Sequence, residues 1–343
     1  MIRLKDNQIQ RRASGPGLLV ATLLGAAAYG LTWIWNTPVL DPLVLALAAG
    51  IVLRTAIGRH AAFDTGFATA PLLCIPIGIT FYAVKNLNFA AYAEVPATSM
   101  MLAALIVFVY FTTILILGRL LGQPDRISYL TAAGSAICGA SAIAITSPAV
   151  DADSDDISIS LLAVTTAAAV ALFTLLPFVA TTVEMTDQTY GVLSGSVLQM
   201  TGFVKAAVMN LPFLSRQMGD QELASLALSV KAARYLGLLI AIPLFASLTQ
   251  KRFYIPWTLW LFLGAGLLGT LIAVTHRDFY SATLIPMVKP LYAMSWSIAM
   301  AAIGLNADVR QLLSNNGAKA LMVAFAGCGA AIATFFLGSL ILG

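Results

Sequence analysis

Residues 134–142 read Gly134-Ser135-Ala136-Ile137-Cys138-Gly139-Ala140-Ser141-Ala142, in the middle of an apolar run from 128 to 150. A run of that length is enough to cross a bilayer, which takes about 20 largely apolar residues. Its centre holds two glycines and two serines, and Ser147-Pro148 follows. Glycine lets a backbone leave the helix, and hydroxyls re-satisfy freed peptide groups. The stretch therefore predicts a membrane helix broken at mid-depth. Close packing of small residues against a neighbouring helix is the competing account. A break exposes half-helix ends whose free N–H groups and partial positive charge suit an anion. Broken helices near the midplane are where secondary transporters form their sites.

The rest of the chain has the same character. Of 343 residues, 59% are hydrophobic and 10% charged, against about 45–50% and about 25% in a soluble domain. That is too little charge to wet a globule. The composition gives an integral membrane protein and excludes a soluble enzyme, a nucleic-acid binder and a secreted domain. Eleven apolar runs stand between polar breaks, at 17–35, 40–57, 66–84, 96–118, 128–150, 157–183, 188–211, 222–248, 256–274, 281–305 and 318–342.

With the N-terminus inside, Arg3, Lys5, Arg11, Arg12, Arg54, Arg59, Arg119, Arg126, Lys251, Arg252, Arg310 and Lys319 fall on the cytoplasmic side. Only Lys85, Arg216 and Arg277 fall outside, beside the acidic cluster Asp151, Asp153, Asp155 and Asp156. This positive-inside bias accounts for the net charge of +4 and predicts an all-α polytopic protein, N-in and C-out, in the inner membrane. The 6–7 loop, Glu184 to Gln188, carries no positive charge. The chain reads as one transporter domain, 1–343. Residues 1–39 form an N-terminal segment and extra helix, and 40–184 and 185–343 form two inverted five-helix repeats, an architecture of secondary transporters.

Four charges lie well inside the runs: Lys205, Lys231, Arg234 and Lys289. Ionisable groups in a bilayer cost at least a few kcal/mol and mark function by default. All four are cations, and no Asp or Glu lies at mid-depth to pair with them, so an anionic substrate is the natural partner. Lys231 and Arg234, three residues apart, share a helix face. Arginine grips an oxyanion through paired donors. Snorkelling to the interface is the competing account, and it fits Lys205 and Lys289 better than Arg234. Two further runs could break. Run 10 has Pro286 and Pro290 around Lys289, then Tyr292, Ser295, Trp296 and Ser297; run 7 has Gly191, Gly195, Ser196, Gln199, Thr201 and Gly202.

Cys74, Cys138 and Cys328 each sit in an apolar run, which is neither a disulfide framework nor a zinc site. His60 and His276 lie near loops, away from any buried nucleophile in sequence. No cofactor, no metal and no enzymatic activity are expected.

The stretch Gly134 to Ala144, with Leu45 to Arg54, Pro76 to Leu87, Ser229 to Pro243 (holding Lys231-x-x-Arg234) and Ala299 to Val309, resembles the YeiH family of sulfate exporters from about Leu40 to the C-terminus. That resemblance places the chain beside bile-acid, auxin-type and cation–proton antiport carriers. It implies inverted repeats, a core and a panel, and two broken helices, runs 5 and 10, crossing at the site. Where the family carries Gly-Ser-x-x-His-Glu-x-x-Gln, this chain has Gly195 and Ser196 but Gln199-Met200 and Phe203. The role of that titratable pair therefore does not carry over.

Residues and resemblance together predict a secondary-active transporter for a small anion, a sulfur oxyanion or sulfonate such as sulfite, sulfate or taurine, working by alternating access in the lipid bilayer. Ser135, Cys138, Gly139 and Ser141 form the expected cradle, with Lys231 and Arg234 for charge and Gln199 and Lys289 as lesser contributors. The coupling ion, sodium or proton, is left open, and so is a homodimer. A cation–proton antiporter of the same fold, or a membrane receptor or subunit without transport, are the alternatives.

Overall fold

A computed structural model of the protein describes residues 2–35, 37, 40–58, 60–90, 97–183, 185–209, 218–307, 310 and 314–342. Arg59, Glu184 and Arg216 lie outside the described residues, as do the side chains of Arg3, Lys5, Arg11 and Arg12. All regular structure among the described residues is helical. In chain order the helices are α1 (Ile2–Trp35), α2 (Pro42–Ile57), α3 (Ala61–Asn86), α4 (Ala97–Leu120), α5 (Asp125–Ala133), α6 (Ala140–Thr146), α7 (Ser154–Val170), α8 (Leu176–Val183), α9 (Asp187–Val197), α10 (Thr201–Val208), α11 (Asp220–Ala233), α12 (Gly237–Gln250), α13 (Trp257–Thr275), α14 (Ile285–Asn306) and α15 (Asn315–Leu342).

Helix starts follow local chemistry. Asp41 caps α2, accepting from the Leu43 N–H at 2.8 Å, and Pro42 occupies the first turn where no N–H is needed. Asp153 and Asp156 form a capping box at the start of α7. Thr186 caps α9. Two of the four acids in the 151–156 cluster are thus spent on starting α7.

Eight helices among the described residues are long and apolar enough to cross a membrane: Gly15–Trp35, Ala61–Asn86, Ala97–Leu120, Ser154–Val183, Gln221–Gln250, Trp257–Thr275, Arg277–Asn306 and Asn315–Gly338. A 30-residue helix such as Ser154–Val183 is about 45 Å long, well over the hydrocarbon thickness of about 30 Å. Leu72, Phe108, Phe178, Ile240, Trp260 and Leu337 stand exposed on the outside of the bundle. An apolar exterior of this kind is stable facing lipid and a liability facing water.

The two runs outside that set with polar centres, 128–150 and 188–211, do not cross the bundle. Each goes in, breaks and returns. Asp125 starts α5 at one end of the bundle, where the Ser160 hydroxyl donates to the Ile127 carbonyl at 3.3 Å and Tyr129 stacks on Phe245 at 4.8 Å. After the break the chain comes back to the same end. There Asp151 accepts from Gln250 at 2.9 Å, and Ser154 meets Asn306 at 3.4 Å. Lys319 donates to the Gly122 carbonyl at that end too. Helices α9 and α10 do the same from the opposite end. Both pack on α11, and the Met218 N–H donates to Asp187 at the base of the hairpin.

This corrects the expectation of eleven crossing spans: residues 125–150 and 187–208 are re-entrant hairpins. It also moves the acidic cluster 151–156, expected outside, to the end that carries Gln250 and Asn306. Both runs satisfy the length rule for a crossing helix, and only their tertiary partners show that they turn back.

The helices sort into two packed groups. α1, α2, α3, α13 and α14 pack mainly on one another, with α14 against α3, α2 and α1. The hairpins, α4, α7, α11, α12 and α15 form the second group, with α15 against α4 and α7. Each group draws helices from both halves of the chain, and the hairpin tips lie where the groups meet.

Candidate functional site

The tip of the first hairpin is built by Gly139. Helix α5 opens into a π turn at Gly134–Cys138, closed by the Gly139 N–H on the Gly134 carbonyl at 2.9 Å. Gly139 then takes φ +68°, ψ −127°, a conformation in which any side chain is strained. A Cβ at this position would sit 2.9 Å from Met200 Cγ and 3.7 Å from Gln199 Cβ. Those two residues are the tip of the second hairpin. It turns without glycine: Leu198 and Met200 are extended, and α10 starts at Thr201. The partner of the break at 139 is therefore run 7. Run 10, expected to supply it, stays helical from Arg277 to Asn306, with a π turn at Tyr280–Leu284 just ahead of Pro286 and regular helix through Pro290.

Four helix ends meet at the tips. The carbonyl ends belong to the α5 arm and α9; the amino ends belong to α6 and α10. A helix terminus leaves its last carbonyls unpaired and carries roughly half a charge. Lys231 and Arg234 fill both carbonyl ends. Arg234 Nε donates to the Ala136 carbonyl at 2.8 Å, Nη2 to Ser135 at 2.8 Å and Nη1 to Leu198 at 2.8 Å, with Gly195 at 3.4 Å. Lys231 Nζ donates to the carbonyls of Ile137 at 3.2 Å, Leu198 at 3.4 Å and Gln199.

Both side chains are 1% exposed. They reach the tips because α11 lies hard against α9, where a Cβ on Gly195 would fall on the Ala227 carbonyl oxygen. A short 3-10 turn at Arg234–Leu236 joins α11 to α12 at the same level. Two formal positive charges thus meet about one negative charge from two helix ends, which leaves the region positive.

On the other side of the tips lies a polar and aromatic wall. Cys138 lies beside Tyr82 and Ser141. The Thr201 and Tyr235 hydroxyls are 3.2 Å apart. The Tyr82 ring lies edge-on to Tyr235 at 6.0 Å and to Tyr292 at 5.5 Å, and 4.8 Å from Trp296. Trp296 is fixed by donating to the Ile75 carbonyl at 3.2 Å. Thr201 is exposed and Ser141 and Tyr292 are half-buried, while Cys138, Tyr82, Tyr235 and Trp296 are buried, so the wall opens at Thr201, Ser141 and Tyr292.

Behind it, Gln199 donates to Tyr110, whose hydroxyl donates to the Val197 carbonyl at 3.0 Å. The hydroxyls of Ser135 and Ser196 and the side-chain oxygen of Gln199 are buried without a partner among the described residues.

Seven of the eight residues expected from the sequence therefore come together: Ser135, Cys138, Gly139, Ser141, Gln199, Lys231 and Arg234. Lys289 does not; it is exposed on α14. Its charge, with that of Lys205, acts on Lys85, which meets Tyr292 at 3.4 Å. The sequence reading missed Tyr82, Tyr110 and Tyr235. A tyrosine in a membrane run needs a partner for its hydroxyl, and that was the available signal.

The profile of the family described as Conserved hypothetical protein 698 matches residues 16–324. Curated relatives include UPF0324 membrane proteins of Archaeoglobus fulgidus (29% identical, covering 94% of this chain and 92% of the relative), Bartonella henselae (28%, 90% and 88%) and Brucella melitensis (27%, 92% and 87%). No solved structure matches at a significant level. With a family match across most of the chain and relatives that are membrane proteins over nearly their full length, this multi-pass membrane protein belongs to the Conserved hypothetical protein 698 family.

Proposed function

We propose that the protein is a secondary-active transporter of a small anion in the cell membrane, the cytoplasmic membrane where there are two. The observation that carries this reading is the division of labour at the hairpin tips. Side-chain cations cover the two carbonyl ends, and the two amino ends keep the hydroxyls of Ser141 and Thr201 on the accessible side. A cation arriving there would meet a positive region with no carboxylate among the described residues. An anion would meet N–H and O–H donors in a poorly solvated setting, where such interactions are strong. The likeness to sulfate exporters narrows the anion to a sulfur oxyanion or sulfonate: sulfite, sulfate or a taurine-like compound.

Ser141, Thr201 and Tyr235 are the direct contacts in this reading, with Cys138 and Tyr82 shaping the wall. Lys231 and Arg234 act at one remove, by holding the tips and setting the potential. Lys85, Lys205 and Lys289 line the approach from the base of the second hairpin and raise the local anion concentration. Movement of the hairpin group against the α1–α3, α13 and α14 group would expose the tips to alternate sides.

The test is flux. Proteoliposomes preloaded with unlabelled sulfite, sulfate, thiosulfate, taurine or a carboxylate are given the labelled anion outside. The expected result is saturable exchange of one of the sulfur anions, reduced at least tenfold by Thr201→Val. Binding without flux would favour a receptor role. Proton-coupled cation movement that needs no anion would favour an antiporter.

A further inference from the structure

The carbonyls that receive Lys231 have the make-up of a site for a hard monovalent cation. Such ions take oxygen ligands, and carbonyl oxygens at unwound helix ends are a common source of them. Here Ile137 supplies one from the first hairpin, and Leu198 and Gln199 supply two from the second. All three converge on one ammonium group that is 1% exposed. Arg234 takes the adjoining carbonyls of Ser135, Ala136 and Gly195 and shares that of Leu198.

We infer that the carbonyls of Ile137, Leu198 and Gln199 form a monovalent-cation site of which the Lys231 ammonium is the permanent occupant, so that the native protein works without sodium and a chain lacking that amine binds sodium or potassium in its place. The occupant is tethered to α11 and cannot dissociate during a cycle, so no ion is taken up or released at this point. The site ties the two tips together whichever cation fills it. The Tyr235 ring, 5.8 Å from Lys231 Nζ, adds a face that suits an ammonium or a potassium ion.

The inference concerns cations at the carbonyl ends and stands apart from the anion reading. Its test uses no anionic substrate and reads folding rather than flux. Purified full-length wild type and Lys231→Ala are melted in chloride salts of sodium, potassium and N-methylglucamine at equal ionic strength. The wild type is expected to melt at one temperature in all three. Lys231→Ala is expected to melt several degrees lower in N-methylglucamine, and to regain part of that in sodium or potassium along a saturating curve, as mass action requires of a ligand of the folded state.

Lys231→Ser is run alongside for yield. A wild type stabilised by sodium over N-methylglucamine would overturn the inference, since its carbonyls would then be open to the ion. Variants that fold and respond alike to all three salts would overturn it too. So would variants that fail to fold in every salt, because a free ion would then be unable to replace the amine.

Discussion

Replacing Arg234 by alanine is expected to remove most of the protein's stability, and replacing it by lysine is expected to recover little of it. The guanidinium makes three bonds of 2.8 Å, to carbonyls on both hairpins. A bond to a charged group contributes roughly 1.5–3 kcal/mol, so the three together amount to on the order of 5 kcal/mol. Whole domains are stable by only about 5–15 kcal/mol. Truncation also leaves the Ser135, Ala136 and Gly195 carbonyls buried and unpaired.

Lysine keeps the charge but offers a compact point donor. It cannot present a planar fork to carbonyls on opposite sides. The check is the melting temperature and monodisperse yield of Arg234→Ala, Arg234→Lys and wild type in one detergent. A lysine variant as stable as wild type would mean that charge alone is needed at the tips. The arrangement of the carbonyls would then be incidental.

Replacing Gly139 by valine is expected to abolish both the tip structure and any activity that depends on it. Two independent penalties fall on this residue. Its φ of +68° with ψ −127° lies where β-branched residues are strongly disfavoured. A Cβ would also crowd Met200 at 2.9 Å. Gly139→Ala meets both penalties in milder form, since a methyl group adds no branching. The expected order of folded yield is therefore wild type, then Gly139→Ala, then Gly139→Val. Pairing Gly139→Ala with Met200→Ala should restore part of the alanine loss, because the second change removes the crowding but not the backbone strain. Full restoration would show that the backbone conformation is not strained for alanine.

Much of the architecture was legible because membrane helices are written in composition. Runs of apolar residues bounded by charge fall on the helices, and the Gly-Ser pattern at 134–141 marks a true break. The intramembrane cations Lys231 and Arg234 were legible for the same reason that they matter: charge is rare in a bilayer. What the sequence hid is the return of the chain at 139 and at 198–200. A run of 20-odd apolar residues looks alike whether it crosses or folds back. The difference lies in partners such as Tyr129 with Phe245 and Asp151 with Gln250, more than a hundred or ninety positions apart in the chain.

The second tip was hidden further because extended backbone, not glycine, makes its turn. The proline pair of run 10 drew attention for the wrong reason. Pro286 follows a π turn at Tyr280–Leu284, and Pro290 sits in regular helix, so neither breaks the run. Lys231 and Arg234 were legible as buried cations, but their backbone partners were not. An anion looked like the missing counter-charge, whereas backbone carbonyls at two helix ends take every donor of Arg234 that the structure pairs.

The most direct measurement of the central claim, that an anion binds at the amino ends of α6 and α10, is ligand-dependent melting of the purified protein. Sulfite, sulfate, thiosulfate, taurine and carboxylates are titrated against wild type and against Ser141→Ala and Thr201→Val. These two changes remove hydroxyls from the accessible face and leave the carbonyl-binding cations in place. The account predicts that one sulfur anion raises the melting temperature of wild type in a saturable way, and that both variants melt like wild type without ligand but lose the response. A response that survives both substitutions, or no response to any anion, would contradict it.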